Sequence, residues 1–299
     1  MKKYINNLNL VEIPSKVIKD ILDSNNKKFN HCVFYNTHSY ILSLKDNTFM
    51  RAILNTKDIF ADGIGVLLAS KIFDKKKVVR VTGYDFFENL LHEINNSKKN
   101  LKLFFLGGSE DNLIKLKNLI SYKYTNIDKR NIYIFAPPYG KNFNYKDKDT
   151  VDLINRINPD IIFVGLGAPK QEKWVYLNKK DLNCNNYLSI GAAFNFFTGL
   201  ERRAPSSFRK YGFEWLFRLI TNPKKIYKRV FLSGSIFIYL MFVSYFFKKN
   251  FYNLNPIVLN VKLVKNFKTF DWSKGYILSA LNLASLSFLY KGDIKISKN

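Results

Sequence analysis

Between Asp160 and Trp174 the sequence DIIFVGLGAPKQEKW changes its hydrophobic pattern halfway, and few folds accept such a change. Ile161, Ile162, Phe163 and Val164 form an unbroken apolar run, as a strand buried on both faces of a parallel sheet requires. Gly165, Gly167 and Pro169 then interrupt regular structure, and Lys170 to Lys180 resumes with helix formers. The order is strand, glycine turn, helix. The helix N-terminus therefore sits at the carboxyl end of the strand, where open α/β sheets bind ligands. Glycines allow close backbone approach, and the unpaired amides of a helix start favour an anion such as a diphosphate. Gln171 and Glu172, the first polar side chains after the turn, can point into the same crevice. A capped helix on an α/β protein that binds no nucleotide fits these residues as well.

Similar units recur before and after this one. Ser15 to Leu22 reads as a short amphipathic helix and His31 to Tyr35 as a strand, followed by Asn36, Thr37 and His38. That polar cluster either reaches a ligand from the sheet edge or caps a helix over Ser39 to Lys45. In DIFADGIGVLLASKIF, Ile59 to Ala61 is a short buried strand, and Gly63 with Gly65 opens an apolar helix. Asp62, at the junction, is either an N-cap or a general base whose pKa its surroundings raise. RVTGYD places Arg80, Gly83 and Asp85 ahead of a helix over Phe86 to Ile94. LKLFFLGG is another strand and turn ending in Gly107 and Gly108, with an acidic first helical turn at Ser109 to Asp111. Asn131 to Phe135 supplies a further strand, and Tyr187 to Phe194 one more strand with a glycine-containing turn. The pattern from 31 to 197 predicts an α/β domain with a doubly wound, mostly parallel, Rossmann-like sheet.

Several chemistries are excluded. Neither G-x-G-x-x-G nor a Walker A sequence occurs. Asp147 and Asp149 superficially form a D-x-D metal motif, but they lie in a polar loop before a helix over Thr150 to Ile157, with no short strand ahead of them, and read as a cap. The two cysteines, Cys32 and Cys184, and the three histidines, His31, His38 and His92, form no disulfide framework or zinc spacing. No metal and no cofactor is expected. The first residues, MKKYINNLNLVEIPSK, lack the apolar core of a secretory signal, so the chain is expected on the cytoplasmic side.

The composition changes after Gly199. Arg202, Arg203, Arg209, Lys210 and Arg218 alternate with Phe208, Tyr211, Phe213, Trp215 and Phe217, and Glu214 is the one acid between Arg202 and Arg229. Such a mixture suits single-stranded nucleic acid or a membrane interface. The next run, Val230 to Phe247, is 18 residues without a charge, flanked by Lys228, Arg229, Lys248 and Lys249. It is at the lower edge of a spanning length and reads as a membrane-embedded or re-entrant helix, with a buried hairpin or an oligomer interface as the alternative. The overall charge of +25 also favours an anionic membrane surface, although lysine enrichment throughout the chain makes much of it diffuse. The expected organisation is an α/β catalytic domain over 1–199, a membrane-associating appendage over 200–249, and an extension over 250–299 to which the pattern assigns no role.

Taken together, ADGIGV (61–66), RVTGYD (80–85), FLGG (105–108), VGLGAPKQEKW (164–174) and IGAAFNFFTGLERRAPSSFRKYGFEWLFRLITNPKKIYKR (190–229) resemble the WecG/TagA/CpsF glycosyltransferases, family 26. The resemblance covers about residues 8 to 245 in one order. It implies an inverting, metal-independent transfer of N-acetylmannosamine, or a related hexose or uronic sugar, from a UDP donor. The implied acceptor is a sugar linked to undecaprenyl diphosphate, in cell-surface polysaccharide or teichoic acid synthesis, at the cytoplasmic face of the plasma membrane. It also implies Asp62 as the catalytic base, Asn36, Arg80 and Gln171 as active-site residues, and Arg218 as an arginine that closes over the donor diphosphate. The chain departs from the family at Phe34, where a threonine is usual, and at Asn222 to Lys225, where the family has E-P-x-R.

The residues support the same chemistry by themselves. Inverting transfer needs a base for the acceptor hydroxyl, which Asp62 can supply, and cations or amides for the departing diphosphate. Arg80, Arg203, Arg218 and the turns at Gly107, Gly108, Gly165 and Gly167 can supply those. Rival readings are a degenerate family member acting as a membrane scaffold, a nicotinamide oxidoreductase on the same fold, and a basic nucleic-acid-binding protein. The uncharged run after the basic segment argues against nucleic acid as a partner. A homo-oligomer is left open.

Overall fold

A computed structural model describes residues 8–23, 29–73, 77–138, 143–227, 230–231 and 233–246. The chain divides after Ser244, and the architecture below belongs to the first unit, Met1–Ser244, except for the last two residues of the final helix. In chain order it runs α1 (Pro14–Leu22), β1 (Asn30–Tyr35), α2 (Thr37–Lys45), α3 (Asn47–Leu54), β2 (Asp58–Ala61), α4 (Ile64–Phe73), α5 (Gly83–Ser97), β3 (Leu103–Leu106) and α6 (Glu110–Lys123). It continues with β4 (Ile132–Phe135), α7 (Lys148–Ile157), β5 (Ile161–Val164), α8 (Lys170–Asn178), β6 (Asn186–Ser189) and α9 (Ala193–Phe197). The C-terminal helices are α10 (Ser206–Lys210), α11 (Glu214–Thr221), α12 (Pro223–Tyr227) and α13 (Ser233–Phe246).

The six strands form one parallel sheet in the order β2-β1-β6-β5-β3-β4. Alternation along each strand sends residues to opposite faces. Cys32, Phe34, Phe60, Phe105, Phe163 and Leu188 face a core completed by α1, α5, α6 and α9. On the other face Val33, Tyr35 and Ile59 pack with α2, α3 and α4, and Phe104, Ile162 and Tyr187 pack with α7 and α8. Both faces are covered, which is why the strands are short apolar runs with little polar alternation.

Adjacent strands β3 and β5 continue in opposite directions, β3 outward to β4 and β5 inward to β6. Such a reversal is where open α/β sheets generally bind ligands, at the carboxyl ends of the strands. The turns after them meet there. A Cβ on Gly107 would lie 2.8 Å from the carbonyl carbon of Gly165, and one on Gly165 would lie 2.4 Å from the Phe194 ring. These two glycines are fixed by packing of turn on turn and turn on α9.

Some boundaries differ from the sequence expectation. Helix α5 starts at Gly83, three residues early, because Thr82 caps it by accepting the Asp85 N–H at 3.2 Å. Helix α3 was not anticipated; Asp46 caps it through the Phe49 N–H, and Phe49, Ala52 and Ile53 bury its inner face. Within the Val230–Phe247 run the helix is 14 residues long, about 21 Å at 1.5 Å per residue. Among the described residues no helix is long and apolar enough to cross a membrane. One face of α13 docks instead. Phe237, 1% exposed, meets the Tyr40 ring edge-on at 5.2 Å, and Ser233 Oγ lies 2.9 Å from His38 Nδ1. Ile238 and Phe242 point away and are 65% and 54% exposed. The expected extension over 250–299 and the Lys225 side chain lie outside the described residues.

Candidate functional site

Asp62 directly follows β2, and its N–H donates to Tyr35 O at 2.9 Å, so the ends of β1 and β2 hold it at the carboxyl edge. The next strand-like contact is Ala61 with Arg80, where Val81 N–H donates to Ala61 O at 3.1 Å. This places the Arg80 backbone beside that of Asp62. Asn36 completes the group from the end of β1. Its Oδ1 accepts the Ser39 N–H at 3.1 Å and so caps α2, and its side chain is near enough to Asp62 to limit the rise of that carboxyl's pKa. The two readings of Asn36, helix cap and site residue, are therefore compatible in one side chain.

The C-terminal helices contribute the remaining charges. Arg80 donates from Nη1 to Arg209 O at 2.7 Å and from Nη2 to Glu214 Oε2 at 3.0 Å. Arg203 donates to Asp85 Oδ1 and lies over the Tyr84 ring, 4.2 Å from its centroid. Arg209 Nη1 is 3.9 Å from the same Asp85 oxygen. Arg218 Nη2 lies 3.6 Å from Glu201 Oε2, and its guanidinium lies over Phe196 at 5.3 Å. The Nε atoms of Arg80, Arg203 and Arg209 are buried without a hydrogen-bond partner. Unspent donors on three arginines in one cluster are what an added anion would satisfy.

Electrostatics separates the carboxylates into two kinds. Burial, followed by the charge of Glu214, raises the Asp62 pKa to about 6, against the opposing pull of Arg80, Asn36 and Arg218. Burial also works against the charge of Asp85. The Thr82 hydroxyl, donating at 2.7 Å, and Arg203 prevail and hold it below the usual carboxylate range. Its partners thus favour the charged form of Asp85, whereas burial favours the protonated form of Asp62, the direction that brings a carboxyl group toward the range useful for a general base.

The second half of the site lies at β5 and β6. Gly167, with φ +77, has nothing within 4 Å of where a Cβ would stand. Its N–H donates to Gln171 Oε1 at 3.0 Å, and Gln171 Nε2 donates to Ser189 O at 3.0 Å and to Glu172 Oε1 at 2.8 Å. Gln171 and Glu172 are 5% and 2% exposed, so Gln171 ties the turn to β6. Gly191, the first glycine after β6, would place a Cβ 3.7 Å from Gln171 Oε1, and Ile190 O lies 3.2 Å from a Cβ on Gly83. The end of β6 thus joins the Gln171 side to the Thr82–Asp85 side. Gly108, φ +87, lies farther along, with Asn112 and Phe194 each 4.0 Å from its Cβ position.

Phe34 belongs to the core on the α5 side of the sheet. It is 8% exposed, stacks on Phe60 at 5.0 Å, meets Phe86 at 5.6 Å and presses on Gly83. Asp147 and Asp149 are the cap and first turn of α7, with the Thr150 hydroxyl donating to Asp147. Among the described residues, no three His, Cys, Asp or Glu side chains come together as a metal site would require. The site residues that sequence reasoning passed over are Glu201, Arg209 and Glu214. A signal existed for Glu214: a lone acid among so many cations, in a segment rich in aromatics, is expected to be paired.

A family model described as the glycosyl transferase WecG/TagA/CpsF family matches residues 1–251. Three relatives carry the name N-acetylglucosaminyldiphosphoundecaprenol N-acetyl-beta-D-mannosaminyltransferase. The one from Bacillus subtilis strain 168 is 32% identical over 181 residues, 60% of this chain and 67% of the relative. The one from Bacillus spizizenii is 30% identical over 58% of this chain and 65% of its own length. The one from Staphylococcus aureus strain NCTC 8325 is 29% identical over 60% and 66%. The chain spans about two thirds of the length of these relatives.

Proposed function

The chain belongs to the WecG/TagA/CpsF glycosyltransferase family, and we propose that it is a hexosyltransferase that moves N-acetylmannosamine, or a closely related sugar, from UDP to a sugar on undecaprenyl diphosphate. The observation that carries this reading is the placement of Asp62, held at the carboxyl end of β2 by Tyr35 O with the Arg80 backbone beside it, where burial pushes its pKa up against the pull of Arg80 and Arg218. The acceptor hydroxyl attacks the anomeric carbon as its proton passes to Asp62. The bond from that carbon to the diphosphate breaks, and UDP leaves with the bonding electrons. Attack opposite the leaving group inverts the centre. Arg80, Arg203, Arg209 and Arg218 stabilise the charge that develops on the diphosphate, which is the role a metal ion plays in other glycosyl transfers.

A lipid-linked acceptor requires the site to work at a bilayer surface. The exposed apolar side chains Ile238 and Phe242 on α13, with Phe231 and Tyr227 just before it, support attachment to the cytoplasmic face of the plasma membrane. Lysines and arginines at an anionic leaflet add on the order of 1 kcal/mol each.

The test is release of UDP by the purified full chain with a panel of UDP-sugars and a lipid-diphosphate-linked N-acetylglucosamine acceptor, with and without EDTA. Turnover with one donor, unaffected by EDTA, is the expected result. Absence of turnover with every donor, in protein shown to be folded, would overturn the reading.

A further inference from the structure

Glu214 is the first residue of α11, and its side chain reaches back across the site to Arg80. The contact is end-on. One carboxylate oxygen meets Nη2 at 3.0 Å, Nη1 is spent on Arg209 O, and Nε has no partner. The pair is mostly enclosed, with side-chain exposures of 20% for Arg80 and 13% for Glu214. An arginine gains most from a bidentate oxyanion, and this carboxylate gives it a single bond. A diphosphate bound at Arg80 meets the same N–H groups, so carboxylate and phosphate compete for one cation.

We propose that Glu214 is an internal counter-anion that donor diphosphate displaces from Arg80, so that this residue sets donor affinity and couples donor binding to the seating of α11. The inference rests on the proposed use of a nucleoside diphosphate sugar. The exchange neutralises Arg80 both before and after binding, which keeps a buried cation from standing unpaired at either stage. It also explains why the sole acid of the 202–229 segment lies where cations would be more useful to a phosphate. Glu214 faces Asp62 as well, together with Arg80 from the strand-like segment before α5, Arg218 from α11 and Asn36 from the cap of α2. Its charge therefore disfavours ionised Asp62, and carboxylate movement away from Arg80 changes the field at the base.

The test is calorimetric binding of UDP to the full chain and to Glu214→Gln, Arg80→Gln and the double variant, each checked for folding by thermal unfolding. Glutamine keeps an acceptor for Arg80 and removes the charge. UDP is expected to bind Glu214→Gln about fivefold more tightly, the order of a partly enclosed ion pair. In the Arg80→Gln background the second substitution is expected to leave the dissociation constant unchanged, because the contested cation is gone. The acid limb of the pH–rate profile of Glu214→Gln is expected to move to lower pH, because the charge that disfavours ionised Asp62 is removed; the dependence of UDP affinity on Arg80 is what separates a displaced counter-anion from a purely structural clasp. Equal or weaker UDP binding by Glu214→Gln, with normal binding by the wild type, overturns the proposal and leaves the donor reading standing. Failure of the wild-type chain itself to bind UDP overturns both.

Discussion

At Asp62 the forces on one carboxyl group nearly balance. Burial and Glu214 push its pKa up to about 6, while Arg80, Asn36 and Arg218 limit the rise. A base must be ionised to accept a proton, so kcat/KM should fall as pH drops through about 6 and stay level above it. A pH–rate profile measured with saturating acceptor checks this. Asp62→Asn should lower kcat by about 10²- to 10⁴-fold with donor affinity nearly unchanged; undiminished turnover would remove Asp62 from the base role. The same shift predicts a stability effect of definite sign. Between the unfolded value near 4 and the folded value near 6 the native state holds the extra proton, so the contribution of Asp62 to stability declines as pH rises through that window. Above it, Asp62→Asn should stabilise the fold, by about 1–2 kcal/mol after allowance for solvent screening, and the gain should vanish below pH 4 in thermal melts. The position of Asp62 at a strand end could be read from the sequence because a carboxylate between an apolar strand and a glycine turn is conspicuous. Its tuning by Glu214 could not, since the two residues meet only after β1, β2 and α11 are assembled.

The glycine turns look alike as sequence and differ as structure. All were read as places where a backbone approaches a ligand. Gly107 and Gly165 are filled by each other and by Phe194, whereas Gly167 faces open space. Gly165→Ala should therefore cost about 1–3 kcal/mol through overpacking, measured by denaturant unfolding. Gly167→Ala should cost about 1 kcal/mol, the strain of a left-handed backbone, and its larger effect should be on UDP binding. Equal losses of stability in the two variants would contradict the distinction. The strands were legible because each is an apolar run bounded by polar residues. Helix α3 escaped because its eight residues carry the i, i+3, i+4 pattern only once, at Phe49, Ala52 and Ile53. The Val230–Phe247 run gave no clue to its docked face, because a helix apolar on every side does not reveal which side a protein covers.

Across the first unit as a whole, the net charge proved a poorer guide than the placement of a few charges. Four arginines face Asp62, Asp85, Glu201 and Glu214 in a small volume. Membrane attachment is predicted to depend instead on exposed apolar groups of α13. Replacing Ile238 and Phe242 together by glutamate should reduce co-sedimentation with anionic vesicles at least tenfold while leaving the thermal transition within a degree or two. Unchanged co-sedimentation would move the attachment elsewhere.

The turn before α11 is pressed close to the site: a Cβ on Gly212, whose φ is +76, would stand 2.1 Å from the end of Ile64 at the start of α4. Together with the pairs Arg80–Glu214 and Arg203–Asp85, this packs the helical segment after residue 199 against the α/β part of the same unit. Recombination between relatives should respect that join. A chimera that exchanges residues 1–199 alone would inherit arginines fitted to another chain's acids, whereas a cut beyond α13 would carry lock and key together.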